Sequence, residues 1–215
     1  MIAAFDGNVF TGKTSLIGAV HSLLDSNIIG EQGSFLTPNV NFLEPNTMEN
    51  ACYLQRAYLR AEERRAPLAI KGVLNLLDRS FVSMAAHVSA LKAARSIDIQ
   101  DWFFDELVKL MSSDKIIVPD VFCFVRCDFD LANSSARNDR SRNTGRLYLE
   151  KTYFHAVEDF NSAWSKKFPS VMVDTSKVLP IRLAEGILDE MPRAVAKDDA
   201  STKQICEFLL EIKNH

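Results

Sequence analysis

The chain has 215 residues, of which 47% are hydrophobic and 25% charged. That composition excludes a mainly disordered chain and provides for one domain, residues 1–215, with a substantial core. A formal net charge of -3 excludes a surface that is basic all over, so no nucleic-acid partner is expected and any anion site must be local.

The N-terminus lacks the basic and long apolar regions of a signal peptide. No run of about 18 apolar residues marks a membrane span, so no membrane partner is expected. Cys52, Cys123, Cys127 and Cys206 make no CxxC pair and no zinc-ligand spacing. Cys123 and Cys127 sit in the apolar FCFVRC run and read as buried thiols. A reducing, cytoplasmic setting is the expectation.

Met1–Phe5 is a short apolar run, followed by helix-like spacing over Ser15–Leu24. Residues 25–49 are rich in Gly, Pro and Asn and read as loop. Asn50–Arg65 predicts a charged helix ending before Pro67. Val73–Leu77 is a second apolar run, with helices predicted over Phe81–Ala94 and 98–113. Val121–Cys127 reads as a strand after Pro119-Asp120. A polar, arginine-rich stretch covers 132–146, and a helix is predicted over Leu147–Lys167. Val171–Val173 predicts a short strand, and 180–191 and 202–213 two further helices. Fully apolar strands alternating with helices predict a three-layer α/β fold with about five parallel strands.

Gly7-Asn8-Val9-Phe10-Thr11-Gly12-Lys13-Thr14 matches G-x-x-x-x-G-K-[ST] in full, between a strand and a helix that opens at Ser15. Such a loop turns backbone N–H groups toward phosphate oxygens. Lys13 places a charge against the β- and γ-phosphates of a nucleotide, and Thr14 offers a hydroxyl to Mg²⁺. The following helix presents its positive end to the same anions. Residues Gly7 to Ser15 are therefore the candidate nucleotide site.

A signalling GTPase is one reading of GKTSLI and of Arg126-Cys127-Asp128 after a strand. However, no Asp lies three residues before any of the eight glycines, and Arg126 stands where a guanine reader has Asn. A small-molecule kinase is the other. Asp78-Arg79 ends an apolar strand on the side where an open α/β sheet binds ligands. Asp78 there suits Mg²⁺ or its water, and Arg79 suits a phosphate or a partner acid.

From Phe5-Asp6-Gly7 to Thr14-Ser15 the chain resembles the opening of thymidylate kinases, and Asp6-Gly7-Asn8-Val9 is similar to the loop of deoxynucleoside kinases. Asp78-Arg79-Ser80 with Ser83 and Ala86 resembles the D-R-Y-x-x-S-x-x-A and E-R-S motifs of the two groups. Pro119-Asp120 and Val171–Thr175 resemble their later strands. The resemblance runs through most of the chain and implies the P-loop NTPase fold with a lid at about 132–146. It implies phosphoryl transfer from ATP, with Mg²⁺, to a nucleoside monophosphate or deoxynucleoside, the late segments leaning to a thymidylate-kinase-like enzyme. It also implies a homodimer, for which no interface is located.

The resemblance places lid arginines at Arg137, Arg140, Arg142 and Arg146, where guanidiniums neutralise the transferred group. It places a base-reading Gln at Gln55, with Tyr58 one turn on; Arg56 or Arg60 is the alternative taken from thymidylate kinases. It requires a carboxylate near the end of the second strand, either Glu31 after Ile28-Ile29 or Glu44. Two departures stand out: Val9-Phe10 occupies positions that are charged in thymidylate kinases, and Ser80 replaces their aromatic residue. They motivate an alternative, a non-catalytic nucleotide-binding regulator on the same fold. His21, His87 and His155 read as ordinary surface or core residues, and Asp128 and Asp174 as helix caps or pocket walls.

Overall fold

The computed structural model describes residues 1–37, 44–138, 145–176, 178–197 and 201–213. The apolar runs form parallel strands β1 (Ile2–Asp6), β2 (Ser26–Ile29), β3 (Leu74–Asp78), β4 (Val121–Arg126) and β5 (Ser170–Asp174). Their order across the sheet is β2-β3-β1-β4-β5. Apart from Asn75 and the C-terminal residues Asp6, Asp78 and Arg126, the three central strands are apolar, as a sheet covered on both faces requires. Register pairs Phe5 with both Asp78 and Cys123, so the ends of β1, β3 and β4 open onto one edge. That edge holds the candidate site, as expected for an open α/β sheet.

The helices are α1 (Lys13–Leu23), α2 (Met48–Arg65), α3 (Phe81–Arg95), α4 (Gln100–Ser112), α5 (Phe129–Asn138), α6 (Lys151–Ser165), α7 (Pro180–Lys197) and α8 (Thr202–Lys213). Leu16, Ile17 and Val20 of α1 pack with Ala184, Ile187 and Met191 of α7 on one face. The larger core lies on the other face, between α2, α3, α4, α6 and α8. At its centre Trp164 is fully buried, with edge contacts to Phe81 at 5.9 Å and Phe122 at 5.4 Å. No described helix is long and apolar enough to cross a membrane.

Several boundaries differ from the sequence reading. β2 emerges from the stretch read as loop. α2 starts two residues early because the Thr47 side chain accepts from Asn50 N at 3.2 Å, an N-cap. α5 occupies the first part of the predicted lid, and a short 3₁₀ turn over Arg146–Leu149 delays α6 to Lys151. α7 continues through Pro192, since buried Ile187 and Met191 hold it to its neighbours. β4 ends at Arg126, leaving Cys127 half-buried beyond it while Cys123 is fully buried.

Replacing Trp164 with alanine is expected to cost about 3–5 kcal/mol by denaturant unfolding. ATP binding should be unchanged at temperatures where the variant is folded, because Trp164 belongs to the core cluster beneath the sheet.

Candidate active site

The phosphate loop leaves β1 through Gly7, whose φ is +140°. A Cβ there would lie 2.1 Å from the Val125 carbonyl oxygen, so only glycine fits beside β4. Gly12, at φ +85°, ends the loop and starts α1. Asn8 anchors the loop to α6, donating to Phe154 O at 3.1 Å and Glu158 Oε1 at 3.0 Å. Thr175 donates to Thr11 O at 2.8 Å and ties the loop to the end of β5. Thr11 and Lys13 both donate to Asn8 O. Lys13 thus folds into its own loop, where burial, with help from Arg79, lowers its ammonium pKa to about 7. Thr14 and Ser15 stay exposed on the first turn of α1. Val9 lines the adjoining cleft, and Phe10 faces α5.

Thr14 Oγ1 donates to Asp78 Oδ2 at 3.1 Å. A hydroxyl and a carboxylate side by side at a phosphate loop are the oxygen donors Mg²⁺ takes when it shares phosphates. The residues therefore fit the ion, which Thr14 and Asp78 would hold. Burial raises the Asp78 carboxyl pKa. Among the described residues no group of three His, Cys, Asp or Glu could hold a metal by itself, so phosphate oxygens are needed to complete such a site.

Arg79 stands at the end of β3 with φ +63°, a left-handed conformation uncommon outside glycine. Its Nε donates to Glu31 Oε1 at 2.6 Å and its Nη1 to Gly7 O at 2.8 Å. Arg79 therefore joins the phosphate loop to the carboxylate after β2. Glu31, not Glu44, is the carboxylate at the site. Glu44 instead accepts from Leu147 N at 2.7 Å and packs against Gly145, which holds it to the turn before α6.

Beyond this pair lies a cleft open to solvent, lined by both polar and apolar side chains. Gln55 and Tyr58 line it from α2. Gln55 is buried, and its Oε1 has no partner among the described residues. Arg56 instead stacks on Trp102, 5.2 Å from the ring centre, and Arg60 is exposed.

Arg140 and Arg142 lie outside the described residues, as does the Arg137 side chain. Arg146 is exposed at the start of its 3₁₀ turn. Asp128 and Asp174 cap turns by accepting from Asp130 N and Ser176 N.

His87 is not an ordinary core or surface residue. It lines the cleft, and its Nδ1 sits 2.6 Å from the Tyr153 hydroxyl. Burial, then Arg79, lowers its pKa to about 4, so the ring is neutral at pH 7. Tyr148, Tyr153 and Asn161 complete that wall. A lone His on a helix and scattered Tyr residues carry no sequence signal; only their packing across α3 and α6 unites them.

The low Lys13 pKa predicts proton uptake on ATP binding. Below pH 7 the ammonium is already charged; above it the Lys13 amine is neutral and must gain a proton to meet phosphate. Calorimetry at pH 8 in buffers of different ionisation heat should show close to one proton taken up per ATP, absent in Lys13→Met. Affinity should fall up to about tenfold per pH unit above 7. No uptake in the parent protein would refute this assignment.

No protein-family model and no curated protein sequence matches the chain. Solved structures do. Deoxyadenosine kinase from M. mycoides, with products dCMP and a flexible dCDP bound, superposes with a TM-score of 0.69 at 17% identity, over 90% of this chain and 99% of that one. The same enzyme with bound dATP gives a TM-score of 0.64 at 16% identity, over 89% and 100% of the two chains. Thymidylate kinase from Candida albicans gives 0.61 at 16% identity, over 90% and 92%. At such identities the likeness is one of fold: this chain has the fold of the thymidylate kinase and deoxynucleoside kinase group.

Proposed function

We propose that this protein is a cytoplasmic kinase that transfers the γ-phosphoryl group of ATP, with Mg²⁺, to the 5′-hydroxyl of a deoxynucleoside. The observation that carries the reading is the Glu31–Arg79 pair, tied to the phosphate loop through Gly7 O. It sets a carboxylate at the junction of phosphate loop and cleft.

In this reading Gln55 holds the base edge, since an amide offers both a donor and an acceptor. Arg79 holds Glu31 and the 5′ end of the acceptor. Glu31 takes the hydroxyl proton as the 5′-oxygen bonds to the γ-phosphorus. The bond from that phosphorus to the β-phosphate oxygen breaks, and ADP leaves. Lys13 neutralises charge across the β- and γ-phosphates, and lid arginines among Arg137, Arg140 and Arg142 serve the transferred group. Mg²⁺, held by Thr14 and Asp78, would supply further neutralisation of the phosphates.

Charge favours a nucleoside over a monophosphate. Among the described residues lining the cleft, Arg79 is the one cation, and Glu31 engages it directly. A monophosphate would bring about two further negative charges to a wall that is already neutral. The thymidylate-kinase-like reading stands second, supported by the fold shared with the Candida albicans enzyme.

The test is ADP release from ATP·Mg²⁺ across nucleosides and nucleoside monophosphates, with Lys13→Ala as control. Stimulation by a deoxynucleoside, lost in Lys13→Ala, is the expected result. Stimulation by a monophosphate alone selects the second reading. ATP binding without any acceptor-dependent release would favour the non-catalytic regulator. Glu31→Gln should lower kcat about 10²- to 10⁴-fold while leaving ATP binding intact. Unchanged kcat would remove Glu31 from its role.

A further inference from the structure

α2 carries a second set of polar residues beneath the cleft wall. Gln55, Tyr58, Glu62 and Arg65 follow one another at spacings of three, four and three, a single stripe on a helix. The first two line the cleft; the other two are fully buried. Arg65 Nη1 donates to Glu62 Oε1 at 2.7 Å. Its Nη2 donates to two backbone carbonyls, Asp78 O at 3.0 Å and Arg79 O at 2.8 Å. Gln32, next to Glu31, donates from Nε2 to Glu62 Oε1 at 2.6 Å and to Ser80 O at 2.9 Å. Three successive carbonyls at the end of β3 are thus held by two side chains.

A buried ion pair is a weak device for stability, since apolar residues of similar size often serve as well. This one also leaves Arg65 Nε without a partner among the described residues. Its hydrogen bonds go to the backbone of Asp78, Arg79 and Ser80, and Arg79 lies there at φ +63°. Any sheet residue continuing β3 would leave that region. A fixed donor holding both flanking carbonyls keeps the Arg79 backbone turned and its guanidinium aimed at Glu31. Gln32 holds the neighbouring backbone of Glu31 to the same anchor.

We propose that Glu62 and Arg65 of α2, together with Gln32 beside Glu31, are positioning residues that set the Glu31–Arg79 pair against the helix that also carries Gln55 and Tyr58. This rests on the kinase reading above. The acceptor wall and the reacting pair are then one rigid unit, and their separation is fixed by the length of α2. Misplacement by about 1 Å at such a site can cost a hundredfold in rate.

The test replaces the buried pair with apolar residues, Arg65→Met together with Glu62→Leu, in the full chain. Two readouts are taken. The first is the Arg79 Nε–H signal in ¹H–¹⁵N spectra, assigned by its loss in Arg79→Lys. The second is steady-state kinetics with the best acceptor. A folded variant is expected to lose the hydrogen-bonded Arg79 signal and about 100-fold in kcat, with the KM for ATP within threefold of the parent. A folded variant that keeps both the signal and kcat overturns the proposal. If the double variant does not fold, Gln32→Met is used, which leaves the Arg65–Glu62 pair intact; it should shift the Arg79 signal and lower kcat at least tenfold, and an unchanged signal and rate overturn the proposal. The spectrum separates this inference from the kinase reading. A parent protein with no acceptor-dependent turnover, whose Arg79 signal still depends on Gln32 and Arg65, would sink the kinase assignment and leave the positioning role standing.

Discussion

The site hangs on one buried carboxylate. Asp6, the last residue of β1, accepts from Ser80 N at 2.8 Å, Ser80 Oγ at 2.7 Å and Ser83 Oγ at 2.5 Å. It joins the start of the phosphate loop to the start of α3, across strands already paired between Phe5 and Asp78. The two Ser80 donors would be buried and unpaired without it, at about 1–3 kcal/mol apiece. Because the clamp lies at the root of both segments, the loop cannot shift relative to the end of β3 without breaking it. Arg79, reaching back to Gly7 O, repeats the tie one layer further out.

Upon that root the loop keeps its shape by internal bonds. Asn8, Thr11 and Thr175 hold the backbone, and Lys13 returns to Asn8 O. Its ammonium is largely removed from water, which is why its proton is held weakly. An incoming triphosphate would replace a carbonyl dipole with full negative charges, a far stronger partner in the same low-dielectric setting.

The parts of this arrangement that were legible in the sequence are the local ones. The phosphate loop is a contiguous pattern with a strand before it and a helix after it, and Asp78-Arg79 sits at the end of an apolar run. Gln55 and Tyr58 share a helix face, so finding one implies the other. Glu31 was legible only together with Glu44, because a carboxylate in a Gly- and Pro-rich stretch has no periodicity to place it. The N-cap at Thr47 was missed because Met-Glu-Asn carries no apolar signal. His87, Tyr153 and Asn161 belong to helices far apart in the chain and meet only through packing of α3 on α6. Glu62 and Arg65 look in sequence like the charged surface of a helix, and only the fold reveals that they face inward.

The apolar pair Val9-Phe10, which distinguishes this loop from charged ones, has a packing explanation. Phe10 adopts φ +60°, a conformation costing a non-glycine residue about 1–2 kcal/mol. It lines one small cavity with Phe129, Ala132 and Ala136 of α5 and Phe154 of α6, where Phe129 and Phe154 meet edge to face at 5.3 Å. Phe10 is half-buried, so the apolar area it covers offsets part of that strain. Val9 meanwhile presents a neutral surface to the cleft. The apolar pair leaves the rest of the loop unaltered: Gly7 and Gly12 keep their turns, and Asp78 stays beside Thr14. What it changes is the neighbourhood of the loop, where the half-buried Phe10 shares an apolar cavity with α5 and α6. The unusual loop sequence thus places an aromatic ring beside α5, the helix that leads into the arginine-rich segment, and leaves the backbone turns at Gly7 and Gly12 in place.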